Sequence, residues 1–172
     1  MRIEPFGVEQ WMNEYETRCR FNLAETCCES ITVAELLDLA ELGPDHLQEH
    51  LSLKLTYGAI EGSDRLRAAI AALYDNQSPE NTLVTHGAIG ANQLVYLTLV
   101  EPGDRVVSVV PSYQQHTSIP ESIGADVVRV PLRVEHGWQL DLDELVAEIT
   151  PGTKLVTLTN PNNPTGALVF HA

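Results

Sequence analysis

The sequence predicts an α/β protein with a mostly parallel sheet and helices on both faces, preceded by an N-terminal helical arm. Two observations carry this. Short runs rich in β-branched residues recur at 82–85 (TLVT), 105–110 (RVVSVV), 126–132 (DVVRVPL) and 154–159 (KLVTLT). Helix-compatible stretches lie between them, punctuated by Glu101-Pro-Gly-Asp104 and by Gly124. Strands alternating with helices imply right-handed crossovers and parallel pairing. In such sheets ligands sit beyond the carboxyl ends of the strands.

Taken in order, residues 9–20 read as a polar helical arm, and residues 21–28 as a short strand or extended segment. Thr32 and Glu35 have capping-box spacing ahead of Leu36, Leu37, Leu39 and Ala40, and that helix is expected to stop near Gly43-Pro44. Ser63 caps a helix whose Leu66, Ala69, Ile70, Leu73 and Tyr74 fall on one apolar stripe. A helix is expected over 88–100 and another over 114–123, ended by Gly124. Asp141 caps a third, with Leu142, Leu145, Val146 and Ile149 on one face.

The totals narrow the function. With 172 residues, 44% of them hydrophobic, the chain can build one sizeable core. Its 24 acidic and 10 basic side chains give a formal charge of -14, which argues against nucleic acid or an anionic membrane as partner. No stretch approaches the roughly 20 apolar residues of a membrane span. Cys19, Cys27 and Cys28 make a poor disulfide framework, so a reducing compartment, the cytoplasm, is expected. The start, with Glu4, Glu9, Glu14 and Glu16 and no apolar run, is not expected to be a signal peptide.

The residues after each strand carry the chemistry. Thr85-His-Gly-Ala-Ile-Gly90 opens a helix with small residues, where backbone N–H groups and the helix dipole favour an anion. It is neither GxGxxG nor a P-loop, so an ordinary strand-to-helix turn is the alternative. Tyr113 follows the second run and could stack on a flat ring or serve as a rim residue. After the fourth comes Asn160-Pro-Asn-Asn-Pro-Thr-Gly166, a loop fixed by two prolines and a glycine and offering three amides. His46 and His50 have i, i+4 spacing but no evident further metal ligand, and no metal is expected.

NPNNPTG resembles the motif of the class I/II aminotransferases, fold-type-I pyridoxal phosphate enzymes. YGAIEGSDRLRAAIAALY (57–74) is similar to the family's Tyr…Gly…Leu-Arg helix, and residues 80–113 to its phosphate-loop and ring-stacking stretch. Residues 24–28 (AETCC) stand where the family often has a glycine-proline loop near the substrate. The resemblance implies residues 1–50 as an arm and part of a small domain, and 51–172 as the first half of an aminotransferase-like large domain, incomplete here.

It also implies roles. Gly87, Ala88 and Ile89 would meet the phosphate of pyridoxal 5'-phosphate through their backbone, with Ile89 where many relatives carry a hydroxyl. Tyr113 would stack on the pyridine ring, and Asn163 would donate to the phenolate oxygen. Tyr57 would reach a partner's phosphate across a homodimer interface. The implied reaction transfers an amino group between an amino acid and a keto acid. A lyase, decarboxylase or synthase of the same superfamily, or a non-catalytic remnant, is the alternative. The family's bonding lysine, its carboxylate partner for the ring nitrogen and its substrate-clamping arginine are expected beyond the asparagine loop, outside these residues. Lys54 and Lys154, the two lysines present, are not expected to substitute. Further expectations are a cis bond before Pro164, the 154 strand beside the 105 strand with the 126 strand outside, and residues 82–85 without a sheet neighbour.

Overall fold

The computed structural model describes residues 2–24 and 27–169. Residues 24–28 therefore lie partly outside the described residues. The chain divides into two compact units, Met1–Thr26 with His86–Ala172, and Cys27–Thr85.

The first unit opens with helix α1 (Gly7–Tyr15). Its sheet has three strands, β1 (Arg105–Val110), β2 (Asp126–Pro131) and β3 (Thr153–Thr157). All pairings are parallel, and the order is β2-β1-β3, as the family resemblance implied. β1 is central and reads as a nearly continuous valine run because both its faces are covered. On one face Val107, Val109, Val130 and Leu132 pack against Leu145 of helix α7 (Leu142–Glu148). On the other, Val106 meets Tyr96 and Val100 at the end of helix α5 (Gly87–Leu99) and Ile119 of helix α6 (Gln115–Ile123).

Capping residues set several boundaries. Asp141 Oδ1 accepts from the N–H groups of Asp143 (3.0 Å) and Glu144 (3.1 Å), starting α7. Gly124 ends α6 with a left-handed φ of 100°, which a residue with a side chain adopts only with strain.

The second unit holds α2 (Val33–Leu39), the short α3 (Gln48–Leu51) and α4 (Asp64–Ala71). The capping box forms: Thr32 N–H donates to Glu35 (2.7 Å) and Glu35 N–H to Thr32 Oγ1 (3.2 Å). α2 stops at Leu39, before the expected Gly43-Pro44, and a 3-10 turn follows at Pro44–Leu47. Ser63 caps α4, which ends at Ala71. Leu73 and Tyr74 of the predicted stripe lie beyond that end and are exposed.

Residues 82–85 are extended and form no ladder, as expected of a run without a sheet neighbour. Their polar groups are satisfied locally instead. Val84 N–H donates to Glu61 O (3.0 Å), and Arg67 Nε donates to Thr82 O (2.9 Å). The expected strand or extended segment at 21–28 is likewise no strand in its described part.

Gly62 faces this segment with a φ of 100°, and a Cβ there would collide with the Val84 side chain. Gly62→Ala is therefore expected to cost about 1–3 kcal/mol from strain and clash together. Urea unfolding, followed by probes placed in each unit, checks this. A midpoint equal to that of the parent would contradict it.

Candidate functional site

The parallel strands end on one side, and the loops leaving them meet the first turn of α5 and the arm around a cavity of about 700 Å³. Tyr113, Gln115 and His116 come from the segment after β1. Leu158, Thr159, Asn160 and Asn163 come from the segment after β3. Ala88, Ile89 and Asn92 come from α5, and Phe6 and Glu9 from the arm.

The asparagine loop sorts its three amides. Asn162 is buried, and its Nδ2 donates to Pro111 O (3.2 Å) and to Thr165 Oγ1 (2.8 Å). Asn160 is tied to Val169, accepting its N–H at 3.0 Å. These two hold the loop to the exit of β1 and to the chain beyond it. Of the three loop amides, only Asn163 makes no side-chain hydrogen bond among the described residues, and it lines the cavity. Ser112 Oγ and Thr159 Oγ1, 2.8 Å apart, join the two strand exits. The bonds before Pro111, Pro161 and Pro164 are all cis, the last as expected.

Tyr113 is 40% exposed, so part of its ring remains available. The arm supports it: the Phe6 and Tyr113 ring centroids are 5.6 Å apart. Gln114 bonds the arm twice, to Pro5 O (2.9 Å) and to Gly7 N–H (3.1 Å). α5 begins at Gly87, with φ 73°. No side chain of its N-cap residue His86 bonds that end, and no acidic residue stands in its first turn. A 13-residue helix with such an end attracts an anion.

The cavity thus brings together Ala88, Ile89, Tyr113 and Asn163, with Gly87 just before Ala88. Tyr57 belongs to the second unit and is fully exposed. His116, Gln115, Asn92, Phe6 and Glu9 were not legible as site residues. Only His116 carried a signal, falling one helical turn after Tyr113.

Tyr96 lies behind the cavity, its hydroxyl 2.8 Å from His116 Nδ1. Burial pushes the Tyr96 phenol up to about 12, against a smaller opposing effect of the Thr157 hydroxyl. Burial also holds the His116 imidazolium below its ordinary range.

The donor set fits pyridoxal phosphate: a helix start that favours an anion, a part-exposed aromatic face and an unpaired amide around one cavity. No three His, Cys, Asp or Glu gather to hold a metal ion among the described residues, and no described helix is long and apolar enough to cross a membrane.

The chain is similar to several known proteins. The chain is 35% identical to capreomycidine synthase of Streptomyces vinaceus over 94% of its own length and 41% of that protein. It is 37% identical to an aspartate aminotransferase of Sulfolobus acidocaldarius over 66% of its length and 30% of that enzyme. It superposes on a PLP-dependent aminotransferase of Streptococcus suis with a TM-score of 0.92 and 42% identity, covering 98% of this chain and 46% of that one. The chain thus spans less than half the length of these relatives. The family described as aminotransferase class I and II matches residues 31–171, and the chain belongs to it.

Proposed function

We propose that the cavity holds pyridoxal 5'-phosphate, and that this chain is the phosphate- and ring-holding half of an enzyme transferring an amino group between an amino acid and a keto acid. One observation carries the reading: Tyr113 and the unpaired Asn163 amide face a single cavity at the carboxyl ends of a parallel sheet, beside the first turn of α5. Gly87, Ala88 and Ile89 hold the phosphate through the helix start, Tyr113 stacks on the ring, and Asn163 donates to the phenolate oxygen. When bound, the cofactor spreads the charge developing at the reacting carbon into its ring. This chain's residues orient that ring and exclude water from one side of it. Tyr57 serves a partner's phosphate in a homodimer, residues 1–50 act as arm and small-domain part beside the large-domain half 51–172, and the protein works in the cytoplasm.

The test is an amino-donor screen of the full-length protein with several keto acids. The reading expects an amino group to appear on the acceptor. Failure across all donors, with cofactor bound, would contradict it. A second reading, a synthase of the same superfamily, has one observation in its favour: the match to capreomycidine synthase runs over 94% of this chain. That reading expects a new ring or bond in the product and an unchanged acceptor.

The cavity wall also bears on the donor. Glu9 is its one acidic or basic residue among those described, apart from His116, and no ion-pair partner of Glu9 is recorded. A carboxylate so placed favours donors with a cationic side chain. Glu9→Gln is expected to lower kcat/KM for such donors about tenfold, the size of one charge-assisted hydrogen bond, and to spare neutral donors. An equal loss for both kinds would contradict this.

A further inference from the structure

Tyr96 and His116 form a pair that the roles above leave unused. Tyr96 is 2% exposed, packed with Val100, Val106 and Ile119 on the α5–α6 face of the sheet. Its hydroxyl meets His116 Nδ1 at 2.8 Å, and the two rings stand edge-on at 65°. His116 is half-buried and lines the cavity beside Tyr113 and Asn163. No hydrogen bond to its Nε2 is recorded among the described residues, and that atom is not among the buried polar atoms lacking a partner.

We infer that Tyr96 is a positioning residue that locks His116 in the Nε2–H tautomer, making His116 a fixed hydrogen-bond donor to an acceptor oxygen of the molecule in the cavity. The reasoning is one of proton counting. A phenol packed in apolar surroundings keeps its proton and must donate it, since a buried hydroxyl without a partner is costly. Besides the Thr157 hydroxyl, whose influence on the phenol is the smaller one, its partner at hydrogen-bond distance is Nδ1, which must then carry a lone pair. A neutral imidazole with a lone pair on Nδ1 carries its proton on Nε2. The burial that keeps Tyr96 protonated also disfavours the imidazolium, so the neutral ring is the form to be locked. The acceptor oxygen rests on the cofactor reading above, but the tautomer does not.

The test is long-range proton–nitrogen NMR of the full-length protein labelled with 15N-histidine, without cofactor. The His116 signals are assigned by their loss in His116→Gln. The expected result is a protonated Nε2 and a bare Nδ1. In Tyr96→Phe the ratio of Nε2–H to Nδ1–H forms is expected to fall roughly tenfold, the size of one net hydrogen bond. Thermal melts of this near-isosteric variant report whether the fold is kept. Cofactor titration adds a second reading: Tyr96→Phe should weaken binding in the parent but not in a His116→Gln background, whose amide donates without help from Tyr96. A parent His116 protonated on Nδ1, or a ratio unchanged in a folded Tyr96→Phe, would overturn the inference. An intact tautomer result with no cofactor binding at all would instead count against the cofactor reading.

Discussion

Alanine at Tyr113 is expected to weaken pyridoxal phosphate binding to the full-length protein roughly 10- to 100-fold. The ring is 40% exposed and packs against Phe6, so it presents a surface that is already ordered. Stacking on a fixed aromatic contributes about 0.5–1.5 kcal/mol beyond the apolar area it covers, and every 1.4 kcal/mol is a factor of ten. Phenylalanine keeps the face and should bind within about threefold of the parent on the same grounds. Equilibrium dialysis of cofactor against the three proteins measures this. If alanine binds as well as tyrosine, the ring does not stack there.

The 172-residue chain mixed with pyridoxal phosphate is expected to give no specific lysine adduct and no keto acid, a fall in turnover to background. Its two lysines are placed badly for the cavity. Lys154 is exposed at the start of β3, while the cavity begins at Leu158 past the other end. Four residues of strand separate them by about 13 Å at roughly 3.3 Å per residue. Lys54 belongs to the second unit and is exposed. Borohydride reduction and peptide mapping read the adduct. The full-length protein carrying both Lys54→Arg and Lys154→Arg should keep its activity. A stoichiometric adduct on either lysine, with turnover lost on its replacement, would show that this chain holds the bonding lysine itself.

Much of this fold was legible because local chemistry and tertiary packing agree. The valines of β1 predicted a strand, the alternation of strands and helices predicted a sheet covered on both faces, and the caps at Thr32, Ser63 and Asp141 all form. Residues 82–85 stand without a sheet neighbour, as expected, for a physical reason. β-branched composition marks a segment that tolerates extension, but a strand also needs a neighbour, and here the bonds go to Glu61 and Arg67. At the site, the resemblance singled out Asn163, but the residues of NPNNPTG by themselves could not say which asparagine is free. That depends on Pro111, 51 residues away from Asn162 in sequence. Phe6 and Glu9 were invisible because an arm's docking place follows from surface contacts, such as those of Gln114, and not from periodicity.

The most direct measurement is the circular dichroism induced in the visible band of pyridoxal phosphate when it binds the full-length protein, compared with Asn163→Ala and Tyr113→Ala. A free cofactor in solution gives no such signal, so the band reports a ring held in one asymmetric setting. The cavity described here predicts a saturable band at one cofactor per chain, with both variants needing at least about tenfold more cofactor to reach half-saturation. The same band with the same midpoint in both variants would place the cofactor elsewhere and contradict the assignment of this site.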